Sequence, residues 1–122
     1  MSMVFVLDDD VIIRHALARQ LRSFGLKVLE FATAEEVISR LEENPSLLIS
    51  DYYLPGADGL VVAAAAKAWP APIKVLILTG VQGSAPLQDA LVQGKIDGLL
   101  LKPWHSEELL DALRAALGST AV

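Results

Sequence analysis

The chain has 122 residues, 53% of them apolar and 20% charged, with a mean hydropathy of +0.46; this predicts one folded domain, residues 1–122, and excludes a disordered tail. Ten Lys plus Arg stand against fifteen Asp plus Glu, a formal charge of −5, which argues against nucleic acid as a direct partner because phosphate binding needs a basic footprint. The absence of cysteine excludes disulfides, thiolate metal sites and a cysteine nucleophile.

Met3-Val4-Phe5-Val6-Leu7 is a continuous apolar run, as expected of a strand buried on both faces. Ile13, Leu17, Leu21 and Phe24 then recur at helical spacing, and Gly25 stops that helix. Lys27 to Phe31 is more mixed and suits an edge strand. Ala34, Val37, Ile38 and Leu41 form the stripe of a second helix, introduced by the capping box Thr33-x-x-Glu36. Leu47 to Ile49 predicts a third strand. The Ala- and Val-rich segment from about Gly59 to Ala68 predicts a third helix. Val75 to Leu78 reads as the fourth strand, about Ala85 to Gln93 as the fourth helix, and Leu99 to Leu101 as the fifth strand. The last helix begins after Ser106, with Glu107 and Glu108 in its first turn and Leu110, Leu113 and Leu117 packed inward. The longest apolar stretch, Leu60 to Ala66, is far below the ~20 residues of a bilayer span. Met1-Ser2-Met3 lacks the basic start of a signal peptide. The expectation is a soluble, cytoplasmic domain with no membrane partner.

Five strand–helix alternations with short connections call for an α/β fold, a doubly wound parallel sheet with helices on both faces. Ligands bind such sheets beyond the carboxyl ends of the strands. There the first strand ends in Asp8-Asp9-Asp10, the third in Ser50-Asp51, the fourth in Thr79-Gly80 and the fifth in Lys102-Pro103. Three gathered carboxylates oppose joint ionisation. Lys102 cancels one charge, and a divalent cation would cancel the other two; hard oxygen ligands select Mg2+ or Mn2+ over zinc. A hydroxyl, an ammonium, a cation and a free carboxylate equip a cleft for phosphoryl transfer, with Asp51 as nucleophile. Each residue alone has a blander reading. An Asp of the first cluster caps the first helix, Asp10 being the best placed; Lys102 alone is a solvated lysine and Thr79 alone a strand threonine. Their coincidence at four strand ends is what carries the inference.

Together these residues resemble the receiver domain of two-component response regulators, from Val4 to about Leu117. Leu7-Asp8-Asp9-Asp10 with Arg14, Asp51-Tyr52-Tyr53-Leu54-Pro55-Gly56-Ala57-Asp58-Gly59, Leu78-Thr79-Gly80 and Lys102-Pro103 follow the family pattern in order and spacing. The resemblance implies a flavodoxin-like sheet of strand order 2-1-3-4-5. It implies that Asp51 accepts a phosphoryl group from a sensor histidine kinase or histidine phosphotransfer protein. Asp8 and Asp9 would hold Mg2+ with Asp51 and the main-chain carbonyl of Tyr53. Lys102 would pair with the carboxylate and then the phosphoryl oxygens, Thr79 would donate its hydroxyl to the phosphoryl group, and the Lys102–Pro103 bond would be cis. The chain would then be a signalling switch and not an enzyme. A homodimer would use the face of the fourth helix, fifth strand and fifth helix; Gln88, Asp89, Gln93 and Lys95 read equally well there as a solvated face.

Two features depart from the family pattern, at three positions. Leu99 stands where a switching Tyr or Phe is usual. Tyr53 and Val81 stand at positions whose side chains, in the family, flank the route of attacking water; as a bulky ring and an apolar branched chain they offer it no base, which predicts a slowly hydrolysed phosphoryl-Asp. His15 and His105 read as solvated or locally bonded histidines, and Trp104 as packing or as a reporter of the adjacent site. Competing readings fit less well. A haloacid-dehalogenase-type hydrolase built on Asp8 and Asp10 would leave Asp51 without a role. A flavin carrier would not place three aspartates at a phosphate loop. A degenerate receiver used only for docking would not need Asp8, Asp9, Asp51, Thr79 and Lys102 together.

Overall fold

The structure, a computed structural model, describes residues 2–80 and 84–118. Five parallel strands form the main sheet: β1 (Met3–Leu7), β2 (Lys27–Phe31), β3 (Leu47–Asp51), β6 (Lys74–Thr79) and β7 (Gly98–Leu101). Their order is β2-β1-β3-β6-β7. Between β3 and β6 lies a small antiparallel pair, β4 (Tyr53–Leu54) and β5 (Ala57–Asp58), so the main sheet has the expected order 2-1-3-4-5. The sequence pattern did not predict that hairpin, since two-residue strands leave no periodicity to read. Gly56 closes its turn at φ +74°, a region where side chains are disfavoured.

The helices are α1 (Val11–Ser23), α2 (Ala34–Ile38), α3 (Gly59–Ala68), α4 (Ala85–Val92) and α5 (Ser106–Leu117). Strand residues alternate between two cores, as the two-residue pleat requires. Phe5, Leu7, Leu48, Val75 and Ile77 pack with Val37, Val62, Ala66, Leu87 and Ala90, which puts α2, α3 and α4 on one face. Val4, Val6, Leu47, Ile49, Leu76 and Leu78 pack with Leu17, Leu21, Leu109 and Leu113, which puts α1 and α5 on the other. Among the described residues no helix is long and apolar enough to cross a membrane.

Two helices differ from expectation. The α2 stripe ends at Ile38, which is half-exposed, and Leu41 is buried from a separate 3-10 turn. Ser39 explains the break: its hydroxyl donates to the Glu36 carbonyl at 2.8 Å, a local bond that competes with helix continuation. In α5 the buried leucine is Leu109, not Leu110. The helix starts at Ser106 rather than after it, with His105 as cap residue, whose N–H donates to the Glu108 carboxylate at 2.9 Å. The Ser106 hydroxyl accepts from Gln20 Nε2 at 2.6 Å.

Candidate functional site

The carboxyl ends of β1, β3, β6 and β7 converge on one rim. Asp8 follows β1 and is fully buried. Its carboxylate accepts from the Asp10 N–H at 2.9 Å, and Arg14 Nη1 donates to its main-chain oxygen at 3.0 Å. Asp10 turns away to cap α1, accepting from the N–H groups of Ile12 and Ile13. Asp9 stays exposed. Asp51 ends β3, nearly buried, and Thr79 ends β6, 2% exposed.

Lys102 closes the cluster from the first residue after β7. Its Nζ lies 3.0 Å from Asp51 Oδ1 and 3.2 Å from Asp8 Oδ2. Its N–H donates to the Thr79 carbonyl at 2.8 Å, tying the β7 exit to the β6 exit. The Lys102–Pro103 peptide is cis. Carboxylate oxygens of Asp8, Asp9 and Asp51 all lie within 4.8 Å of one another.

The electrostatics show an anionic surplus. Burial above all, with the nearby charge of Asp8, lifts the Asp51 carboxyl above its ordinary value despite the Lys102 hydrogen bond. Burial alone would lower Lys102, but its hydrogen bond to Asp51 and the charges of Asp8 and Asp51 outweigh that and leave it raised. One ammonium against three carboxylates does not neutralise the pocket. An all-oxygen donor set of this charge suits a hard divalent cation.

A family model, response regulator receiver domain, matches residues 4–114. The chain belongs to that family. Nodulation protein W of Bradyrhizobium diazoefficiens is 34% identical over 116 residues, covering 94% of this chain and 51% of the relative. Response regulator protein TodT of Pseudomonas putida is also 34% identical, over 118 residues, covering 95% of this chain and 51% of its own. The receiver thus spans about half the length of these curated relatives. Among solved structures, the signal receiver domain of an HD domain-containing protein from Pseudomonas fluorescens superposes with a TM-score of 0.85 at 27% identity, covering 95% of this chain and 86% of that one. The chemotaxis response regulator CheY4 of Vibrio cholerae gives 0.82 at 27% identity, covering 96% and 99%.

Within the receiver, the residues named from the sequence are brought together at Asp8, Asp9, Asp51, Thr79 and Lys102. Tyr53 opens β4 and is 70% exposed, its ring edge-on to that of Tyr52 with centroids 4.8 Å apart. Val81 lies outside the described residues. Leu99 is half-buried against the α2–α3–α4 core, on the same side of the sheet as Thr79. His15 is locally bonded, its Nδ1 2.6 Å from Glu30 Oε1. Trp104 is half-buried against the α1–α5 core, and its indole N–H donates to Gln20 Oε1 at 2.7 Å.

Two contributions were not read from the sequence. Arg14 matched only as a spacing, whereas its guanidinium braces the Asp8 main chain from one side and pairs with Glu30 at 3.4 Å on the other. Gly59 was a motif letter without a reason. Its N–H donates to the Tyr52 carbonyl at 2.7 Å, and a Cβ there would stand 2.7 Å from the Asp51 carbonyl oxygen. The backbone that carries Asp51 packs against α3 where only hydrogen fits.

Proposed function

We propose that this receiver is a Mg2+-dependent phosphoacceptor that takes a phosphoryl group onto Asp51 from a phosphohistidine on a sensor histidine kinase or phosphotransfer protein. The observation that carries the reading is the Lys102 ammonium 3.0 Å from Asp51, inside a three-carboxylate pocket it cannot neutralise. An Asp51 oxygen attacks phosphorus; the phosphorus–nitrogen bond to the donor imidazole breaks as the acyl phosphate forms, and its electron pair stays on the imidazole. Lys102 passes from the carboxylate to the new phosphoryl oxygens, and the Thr79 hydroxyl donates to another. Asp8, Asp9, Asp51 and the Tyr53 carbonyl are the groups that would hold Mg2+. Bound there, the ion would supply charge neutralisation for the transferring group. Asp10 is occupied as the α1 cap, which supports this reading over a hydrolase that needs Asp8 and Asp10 as a catalytic pair.

The receiver is a switch and turns over no external substrate. Thr79 and Leu99 share a sheet face, so a shift of the threonine is felt one pleat away along β7 by a leucine that changes rotamer without an aromatic ring to swing. Residues 1–122 act as one cytoplasmic receiver unit, and the α4–β7–α5 face is the surface for a homodimer. This chain covers 25% of the length of the DNA-binding transcriptional regulator NtrC of Salmonella typhimurium; the acidic balance of the receiver, ten Lys plus Arg against fifteen Asp plus Glu, supports no direct contact of the receiver itself with nucleic acid.

The test is incubation with acetyl phosphate and Mg2+, followed by intact mass. One phosphoryl group per chain, absent when a chelator replaces Mg2+, is the expected result; no adduct, or an adduct indifferent to the chelator, overturns the reading. A second expectation concerns lifetime. The exposed Tyr53 ring shields phosphorus and offers water no base, so Tyr53→Asn is expected to shorten the lifetime of the phosphoryl-Asp. Timed masses after removal of the donor measure it, and an unchanged decay would count against the shielding role.

A further inference from the structure

Lys102 does its work from a four-residue loop, residues 102–105, between the edge strand β7 and α5. A lysine side chain carries about 2 kcal/mol of rotamer entropy, so an ammonium held between two carboxylates depends on where its backbone is fixed. The upstream end is fixed by the Lys102 N–H on the Thr79 carbonyl at 2.8 Å. At the downstream end one side chain from the other end of the sequence meets the loop at Trp104 and the first residue of α5 at Ser106. Gln20 Oε1 accepts from Trp104 Nε1 at 2.7 Å, and Gln20 Nε2 donates to Ser106 Oγ at 2.6 Å. The indole nitrogen can only donate, which decides the orientation of the amide and leaves its nitrogen for the hydroxyl. Gln20 and the indole are both half-buried, and Trp104 packs on the α1–α5 core.

We infer that Gln20 is a positioning residue for Lys102: its amide latches the β7–α5 loop to α1 through Trp104 and Ser106 and so fixes the backbone from which the ammonium reaches Asp51. The inference rests on the phosphoacceptor reading, because Lys102 needs placing only if it receives a phosphoryl group. A misplacement of about 1 Å at a reacting centre costs up to roughly a hundredfold in rate. Loss of the latch lets the loop drift without touching Asp8, Asp9 or Asp51. The latch therefore sets the rate of phosphoryl uptake and leaves the affinity for Mg2+ alone.

The test uses residues 1–122 with Trp69→Phe as the parent, so that Trp104 is the sole tryptophan and can be excited selectively at wavelengths beyond tyrosine absorption. Gln20→Leu keeps the bulk and removes both bonds. It is expected to slow uptake from acetyl phosphate, at saturating Mg2+, by roughly tenfold or more, with Mg2+ affinity by calorimetry within twofold of the parent. In the metal-free protein it is expected to shift the Trp104 emission. Gln20→Glu accepts from the indole and from the Ser106 hydroxyl, and restores most of the rate. Trp104→Phe removes the indole donor while keeping an aromatic ring on the core, and supplies the second route should Gln20→Leu fold poorly; it is expected to slow uptake similarly, with the double variant no slower than the worse single one. Uptake within twofold of the parent in Gln20→Leu, additive effects in the double variant, or a parallel loss of Mg2+ affinity overturns the latch while the phosphoacceptor reading stands. A parent chain that binds Mg2+ but takes no phosphoryl group overturns both.

Discussion

Asp51→Asn is expected to accept no phosphoryl group from acetyl phosphate under any Mg2+ concentration, and at neutral pH without metal to be more stable than the parent. Both outcomes come from one carboxylate. An amide oxygen has no charge with which to attack phosphorus, so the chemical step is lost outright and not merely slowed. The stability gain follows from the raised pKa of Asp51 in the fold. A carboxyl whose folded pKa exceeds its unfolded value is harder to ionise in the native state. That cost is absent at low pH, where both states are protonated, and grows as pH rises through the unfolded pKa towards the folded one. Thermal unfolding from acid to neutral pH, without metal, should show parent and variant converging at low pH and separating as pH rises. Mg2+ should reverse the ranking. A ligand at a hundred times its dissociation constant stabilises by about 2.7 kcal/mol, and the variant, short of one ligand, gains less. A variant still phosphorylated, or less stable than the parent at every pH, would remove Asp51 from the centre of the site.

Gly59→Ala is expected to destabilise the fold by about 3 kcal/mol, the upper end for overpacking, lowering Tm by roughly 10 °C, and to depress phosphoryl uptake as well. The added methyl would lie 2.7 Å from the Asp51 carbonyl oxygen and 3.0 Å from Ile77 Cδ1. The side chain can turn aside, but the carbonyl cannot move without carrying Asp51 with it. The better helix propensity of alanine at the first residue of α3 offsets about 1 kcal/mol at most. Gly98→Ala is the control. There the methyl meets Leu76 Cδ2 at 2.7 Å, the far end of a flexible side chain, so a smaller loss of stability and no change in uptake are expected. Equal effects at the two glycines would show that backbone contact with Asp51 is not what keeps residue 59 small.

The apolar run Met3 to Leu7, buried on both sides, and the alternation of such runs with helical stripes were enough to reach the parallel sheet, while its strand order came from the resemblance to the receiver family. Burying apolar strands on both faces leaves few arrangements, and right-handed crossovers leave fewer. The site residues were legible for a related reason. Strands of parallel direction all deliver their carboxyl ends to one rim, so Asp8, Asp51, Thr79 and Lys102 could be placed together from their positions in the chain. Asp10 was legible as a cap because capping is a local hydrogen bond.

Contacts between segments distant in sequence were not legible. Leu109 rather than Leu110 faces the core once α5 has docked on the sheet, and Ser106 at its start is held by Gln20, 86 residues earlier. The same glutamine meets Trp104 from α1. The need for glycine at position 59 depends on a carbonyl eight residues back that touches it only after α3 has docked. Periodicity and spacing report what a residue does within its own strand or helix, and so the amino-acid order settled the elements, the sheet and the rim that gathers the acids. How near two backbones come, and which side chain reaches across between them, depends on the packing of helices onto the sheet, and only the folded chain sets those distances.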